Sequence, residues 1–439
     1  MTFKNSAELR QRFHRAIPGG AHTYAKGDDQ FPEQFAPYIV RGEGCHVWDT
    51  DGNEFIEYSM GLRAIALGHA QRRVNEAVWR QMQLGNNFNR PALLELECAE
   101  EFLHLIRGAE MVKFGKNGSD ATSAAVKLSR AFTGRDLVGI CTDHPFFSVD
   151  DWFIGATPMN AGIPEATRKL AVGFRFNDPA SIERMFAEHP GRIACLILEP
   201  EKAEEPRNGF LHRAKEICHQ HGAVFILDEM ITGFRWHLRG GQGYHNITAD
   251  LSTFGKALGN GFAVSALAGR RDIMSLGGLD HDRERVFLLS LTHGAEGSSL
   301  AAAREVMRIY QEEPIIDTLW RQGARLERML RLVIAKHGLE EHFTLSGKPC
   351  ALMYGTLNTE REPSQPFRTL FLQETIKRGL LAPSFIVSAA HTDDDIDRTV
   401  AIVDQALVVY RQALEEGISN HLTGRSVLPV MRAHNRPQR

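Results

Sequence analysis

The middle of this chain repeats one pattern: a short apolar run, a stretch with helical spacing, then another apolar run. The runs are "EMVKF" (110–114), "DLVGICT" (136–142), "IACLILEP" (193–200), "AVFILDE" (223–229), "LSTFGK" (251–256) and "VSALAG" (264–269). "DATSAAVKLSRAFTG" and "FLHRAKEICHQHG" are helical connections between them. A strand without a polar face must be covered on both sides, and helical crossovers do this. The pattern therefore predicts an α/β fold on a parallel sheet. In such sheets ligands gather at the carboxyl ends of the strands. Glu199, Asp228 and Lys256 fall at those ends.

One of these runs ends abruptly in charge. Phe225-Ile226-Leu227 is followed at once by Asp228 and Glu229. Buried acids are costly unless they are paired or have a chemical task, so the pair marks a candidate site. Composition narrows the task. Lys plus Arg total 51 and Asp plus Glu 54, a net charge of −3, which gives no footprint for nucleic acid or an anionic membrane. The six cysteines (Cys45, Cys98, Cys141, Cys195, Cys218, Cys350) form no CxxC pair, and reduced, buried thiols are expected. Met1-Thr2-Phe3-Lys4-Asn5 lacks the apolar core of a signal peptide, and no apolar stretch is long enough to span a bilayer. A soluble, cytoplasmic protein is expected, with no metal.

The flanks differ from the middle. Residues 39–58 predict a β-meander with an Asp-Gly turn at 51–52. Long amphipathic helical patterns follow residue 300, and "DDDIDRTVAIVDQALVVYRQAL" predicts a closing helix. The expected organisation is an N-terminal segment of a small lobe (1–65), a large domain (66–320), a C-terminal small domain (321–418) and a loosely held tail (419–439).

Three features carry chemistry. Asp228 at a strand end suits a protonated heterocyclic nitrogen; by itself it reads as readily as a salt-bridge partner or helix cap. Lys256, in "TFGKALGNG", lies between an apolar strand and a Gly-rich turn, where desolvation would free its amine for Schiff-base chemistry; alone it could equally be a surface lysine. "KFGKNGSDATSA" (113–124) places backbone N–H groups around Gly118, Ser119 and Asp120 at a helix start. That suits a phosphate, or simple helix capping. Together and in this order they describe a site for pyridoxal 5′-phosphate.

The stretch "DEMITGFR … GGQGYHNITADLSTFGKALGNG", with "GRRDIM" (269–274), "LGH" (67–69) and "APS…AHTDDDID" (382–396), resembles the class III aminotransferases of the fold-type I pyridoxal-phosphate enzymes. The glutamate-1-semialdehyde 2,1-aminomutases are nearest by pattern. The resemblance runs from about Pro18 to about residue 410. It implies a large domain on a mostly parallel seven-stranded sheet and a smaller α+β domain drawn from both termini. It further implies that Lys256 bonds the cofactor aldehyde and carries protons, and that Asp228 holds the ring nitrogen. Met230 would pack under the ring, Gly118 and Ser119 would hold the phosphate, and Glu199 would stand near the ring oxygen. Thr292 would reach the phosphate of the neighbouring subunit, making the active form a homodimer with shared sites. Phe146 would cover the second ring face, with Phe147 as the alternative. Glu229 reads as structural, held in an ion pair.

The sequence departs from the aminomutases around the substrate. Their segment after Pro-Gly-Gly carries an arginine for the substrate carboxylate; "PGGAHTYAKGDD" puts Lys26 there, a point charge in place of a bidentate fork. His22, Tyr24, Lys26, Arg63 and His293 are the candidates for reading a substrate. The expectation is an aminotransferase exchanging an amino group between a donor such as L-glutamate and a keto or aldehyde acceptor, a sugar or another polyhydroxy carbonyl compound. An aminomutase or racemase on the same cofactor is the alternative. A silent scaffold relative is disfavoured because Lys256 and Asp228 are both present. A Rossmann dehydrogenase is disfavoured because no strand is followed by GxGxxG.

Overall fold

The computed structural model describes residues 1–435. The chain divides into two compact units. One comprises Met1–Gln71 with Asp317–Val430, the other Arg72–Ile316 and the described residues from Met431 on. The first break falls six residues later than the sequence suggests. His69 exchanges backbone hydrogen bonds with Gly44, and Ala389 N–H donates to Ala66, which tie 66–71 to the first unit.

In the first unit, β1 (Ile39–Glu43), β2 (His46–Asp49) and β3 (Glu54–Glu57) form an antiparallel meander. Its Asp-Gly turn is closed by Asp49, whose carboxylate accepts from the backbone N–H groups of Asp51 and Asn53.

The second unit holds β4 (Met111–Gly115), β5 (Leu137–Cys141), β6 (Ala171–Phe174), β7 (Ile193–Leu198), β8 (Val224–Asp228), β9 (Leu251–Phe254) and β10 (Ser265–Gly269). They form one seven-stranded sheet in the order β4-β10-β9-β8-β7-β5-β6. Neighbours from β9 to β6 pair in parallel, while β10 runs antiparallel to both β9 and β4. Every residue of β7 and β8 is buried, because helices such as Gly118–Thr133 and Phe210–Gln220 cross between the strands. β6 was not legible as a strand: Ala171-Val172-Gly173-Phe174 sits at the sheet edge, with only Phe174 buried.

The remaining strands belong to the first unit: β11 (Phe343–Ser346) pairs with β12 (Met353–Thr356), and β13 (Leu380–Leu381) adds in parallel to β3. The closing helix, Asp393–Glu416, starts at Thr392 with a reciprocal cap between Thr392 and Asp395.

The expected loose tail is corrected by the structure as far as Val430. Val427 is 1% exposed and packs with Val47, Phe55, Leu372, Ile376 and Leu381. Arg425 bonds to Asp28 and Glu33, and Leu428 N–H donates to Asp29. Single side chains meeting partners about 400 positions away leave no periodic trace in a sequence. Val427→Asp, which buries an uncompensated charge, should lower stability by about 3 kcal/mol, measured by urea unfolding of the full chain.

Candidate active site

Asp228 is the last residue of β8 and 3% exposed. Both hydrogen bonds it accepts, from Met230 N–H (3.1 Å) and from the Thr253 hydroxyl (3.0 Å), fall on Oδ1. Thr253 is its register partner on β9. Burial, reinforced by the Glu199 carboxylate, pushes the Asp228 acid up to about 7, although Lys256 opposes the rise. The parallel pairing of Leu198 with Leu227 sets Glu199 beside Asp228 at the same sheet end.

Glu199 stays ionised. Burial alone would raise its pKa, but the cations Lys202 and Lys256 outweigh it and lower it. Lys202 Nζ stands 3.0 Å from its Oε1. Its Oε2 is buried and, among the described residues, has no hydrogen-bond donor. His144 supports the backbone here: its Nδ1 accepts from Glu199 N–H at 3.0 Å, and burial depresses its pKa to about 4, so the ring is neutral. Neither His144 nor Lys202 was singled out from the sequence. His144 could have been found, since it follows β5 at the same carboxyl end; nothing local marks Lys202.

Lys256 opens a tight turn, Lys256–Gly259, two residues beyond β9. Its backbone is left-handed (φ 45°), a strained state that clusters at functional positions. Its charge acts on both Asp228 and Glu199, so the amine shares their environment.

Met230 links the lysine to the helix start. A Cβ on Gly118 would stand 3.0 Å from the Met230 sulfur, and one on Gly255 only 2.8 Å. Gly118 opens the helix Gly118–Thr133. The Asp120 carboxylate takes the N–H groups of Lys116 and Asn117, while first-turn N–H groups have no partner within a helix. Ser119 accepts from Val149 N–H at 3.0 Å, so its own proton remains to donate. A helix N-terminus favours a phosphate here. The glycine-lined floor, the helix start and the unmatched Glu199 oxygen fit the cofactor.

Glu229 is held by the backbone N–H groups of Gly241 and Gln242, both at 2.7 Å, and by the Thr232 hydroxyl. It seats the turn at Gly240, where a Cβ would stand 2.6 Å from its oxygen. Phe147 is 2% exposed and packs edge-on against Phe153, inside the core. Phe146 meets the same ring from outside and is 44% exposed. Thr292 and His293 are exposed, on the segment before the helix Gly297–Glu312; the Thr292 carbonyl accepts from Asn87. His22, Tyr24, Lys26 and Arg63 belong to the first unit. The first three are exposed around the turn Tyr24–Lys26. Arg63 ends a run in which Ser59, Met60, Gly61 and Leu62 also have positive φ.

The raised Asp228 pKa has a thermodynamic consequence. A folded pKa above the unfolded one means the folded state binds the proton more tightly, so stability falls as pH rises from about 4 to 7. In cofactor-free protein, Asp228→Asn should be more stable than the parent at pH 8, and this advantage should vanish near pH 4. Paired denaturation curves at the two pH values test this.

The sequence profile of "Aminotransferase class-III" matches residues 25–143 and 150–398. The glutamate-1-semialdehyde 2,1-aminomutase of Aeropyrum pernix is 31% identical over 400 residues, 87% of this chain and 91% of that protein. That of Syntrophomonas wolfei is 30% identical over 434 residues, 93% of this chain and 98% of that one. Among solved structures, the PLP internal aldimine form of the Sphingopyxis sp. MTA144 FumI protein matches with a TM-score of 0.85 at 28% identity, over 93% of this chain and 97% of its own. With the fold, the strand-end acids and the lysine in place, the chain belongs to the class III aminotransferases, fold-type I enzymes whose cofactor is pyridoxal 5′-phosphate.

Proposed function

We propose that this chain is an aminotransferase that moves an amino group from a donor, L-glutamate, to a keto or aldehyde acceptor with several hydroxyl groups. The observation that carries the reading is the convergence of Asp228, Glu199 and Lys256 at one sheet end, over a glycine-lined floor. When bound, pyridoxal phosphate supplies an electron sink for the carbon that loses its proton. Lys256 holds and returns that proton. The Asp228 carboxylate would hold the ring nitrogen, whose N–H cation would let it ionise. Met230 would pack under the ring, Phe146 would cover its other face, and Gly118 and Ser119 would hold the phosphate. Glu199 Oε2, which has no donor among the described residues, would accept a hydrogen bond from the ring hydroxyl.

The acceptor class rests on Lys26 where the aminomutases have an arginine; an ammonium and the hydroxyl and imidazole groups of Tyr24, His22 and His293 suit hydroxyls better than a planar carboxylate. The left-handed run through Arg63 is a strained segment of the kind found at ligand contacts, and Arg63 is the cation assigned to the substrate. The second reading, an aminomutase that needs no separate donor, is favoured by the names of the two curated relatives.

The working form is a cytoplasmic homodimer. Trp79, Met82, Leu84, Phe88, Leu93 and Leu96 are each more than half exposed and lie within eighteen residues of one another, an apolar surface that suits a second copy. Among the described residues no helix is long and apolar enough to cross a membrane.

Lys256→Ala should abolish turnover while keeping much of the affinity for the cofactor phosphate, and Asp228→Asn should bind cofactor yet slow turnover by about 10³-fold or more, the cost of a mispaired acid–base group. Steady-state rates and cofactor titrations read both. Thr292→Ala should weaken cofactor retention on dialysis if the phosphate site is shared between subunits. The deciding test adds L-glutamate to the yellow holoenzyme. Conversion to the amine form with release of 2-oxoglutarate supports the transaminase, whereas an unchanged spectrum returns the choice to the aminomutase.

A further inference from the structure

A second cluster of reactive side chains lies in the first unit and has no part in the chemistry above. Gly44 and Cys45 make the turn between β1 and β2, and His46 opens β2. Asp395 sits in the first turn of the helix Asp393–Glu416. The Cys45 Sγ, a His46 ring nitrogen and an Asp395 carboxylate oxygen all lie within 4.8 Å of one another. His46 Nε2 is 2.9 Å from Asp395 Oδ1, and Cys45 Sγ is 3.4 Å from Oδ2. The other ring nitrogen, His46 Nδ1, is 2.8 Å from Glu54 Oε1. The imidazole thus meets a carboxylate oxygen on both nitrogens.

We propose that Cys45, His46 and Asp395 form a binding site for a thiophilic divalent cation, zinc being the best match. The ligand set is right: one thiolate, one imidazole and one carboxylate suit tetrahedral zinc with a fourth position for water. The outer contacts are right as well. Glu54 Oε1 lies close to Nδ1 without an aligned hydrogen bond, which leaves Nε2 as the ligand atom. On Asp395 the two oxygens divide the work. Oδ2 accepts from Thr392 N–H (3.0 Å) and the Thr392 hydroxyl (2.7 Å), and Oδ1 faces only His46. Oδ1 can therefore ligate without breaking the helix cap. Ligand atoms on a tetrahedral zinc stand about 3–4 Å apart, so the cluster needs to close by about 1 Å. Cys45 is buried, while the His46 side chain is 20% exposed and opens the path for the ion. Binding replaces the Cys45 S–H bond with a sulfur–metal bond, and the proton leaves to solvent. The ion would clamp the first hairpin to the closing helix, joining positions 350 residues apart in the chain.

The test uses the full-length holoenzyme, titrated with Co²⁺ and watched for thiolate-to-cobalt absorption. The remaining cysteines, Cys98, Cys141, Cys195, Cys218 and Cys350, are buried outside this cluster, so the band reports on Cys45. One Co²⁺ per chain is expected, with the band lost and affinity at least tenfold weaker in Cys45→Ser, which keeps a donor to Asp395. Zn²⁺ should raise the Tm of the parent and leave that of Cys45→Ser unmoved. A parent that takes up no Co²⁺, or a Cys45→Ser variant with the same band and affinity, would overturn the proposal. Cofactor absorption of each variant shows that it is folded.

Discussion

Placing acids where β-strands leave the core is the constraint on which the large unit depends. A carboxylate there is cut off from water and must be neutralised by a proton, a cation or backbone N–H groups. The structure uses all three within a few residues. Glu229 takes backbone N–H groups and a hydroxyl, and so becomes a fastener for the Gly240 turn. Glu199 takes Lys202 and stays charged. Asp228 receives two hydrogen bonds on one oxygen and otherwise keeps its proton. In the proposed reading, the ring nitrogen of the cofactor supplies the cation that would replace that proton.

The remaining parts of the site follow from that position. Parallel register puts Thr253, Asp228 and Glu199 on successive strands. The chain then turns at Lys256 with strained backbone, so the amine stays near both acids. Met230 fills the space between Gly118 and Gly255, both of which approach its sulfur too closely for a side chain. Packing thus sets the distance between the helix start and the lysine, which a cofactor with a phosphate at one end and an aldehyde at the other must span.

The first unit is assembled from both ends of the chain. β13 completes the sheet begun by β1, β2 and β3, and Val427 completes the apolar cluster beneath it. The same assembly brings Asp395 to Cys45 and His46. That cluster is a by-product of joining remote segments, and its ligand chemistry is independent of the cofactor.

Continuous apolar runs with helices between them were enough to predict the parallel sheet, because a strand hydrophobic on both faces has few other ways to be covered. The same rule placed Glu199, Asp228 and Lys256 at one end, and motif order identified the cofactor. Local sequence was insufficient for β6, a short edge strand, and for the run from 419 to 430, whose order comes from single contacts with residues near 28, 33 and 369. Nor does local sequence tell the burial of Phe146 and Phe147 apart: adjacent residues of one type differ only in which way the loop turns, and that turn buries Phe147 against Phe153. Lys202 on Glu199, His144 beneath it and the Cys45–His46–Asp395 cluster are likewise decisions of tertiary structure. Periodicity and motifs report the environment a residue needs; which partner arrives from elsewhere in the chain depends on packing in three dimensions.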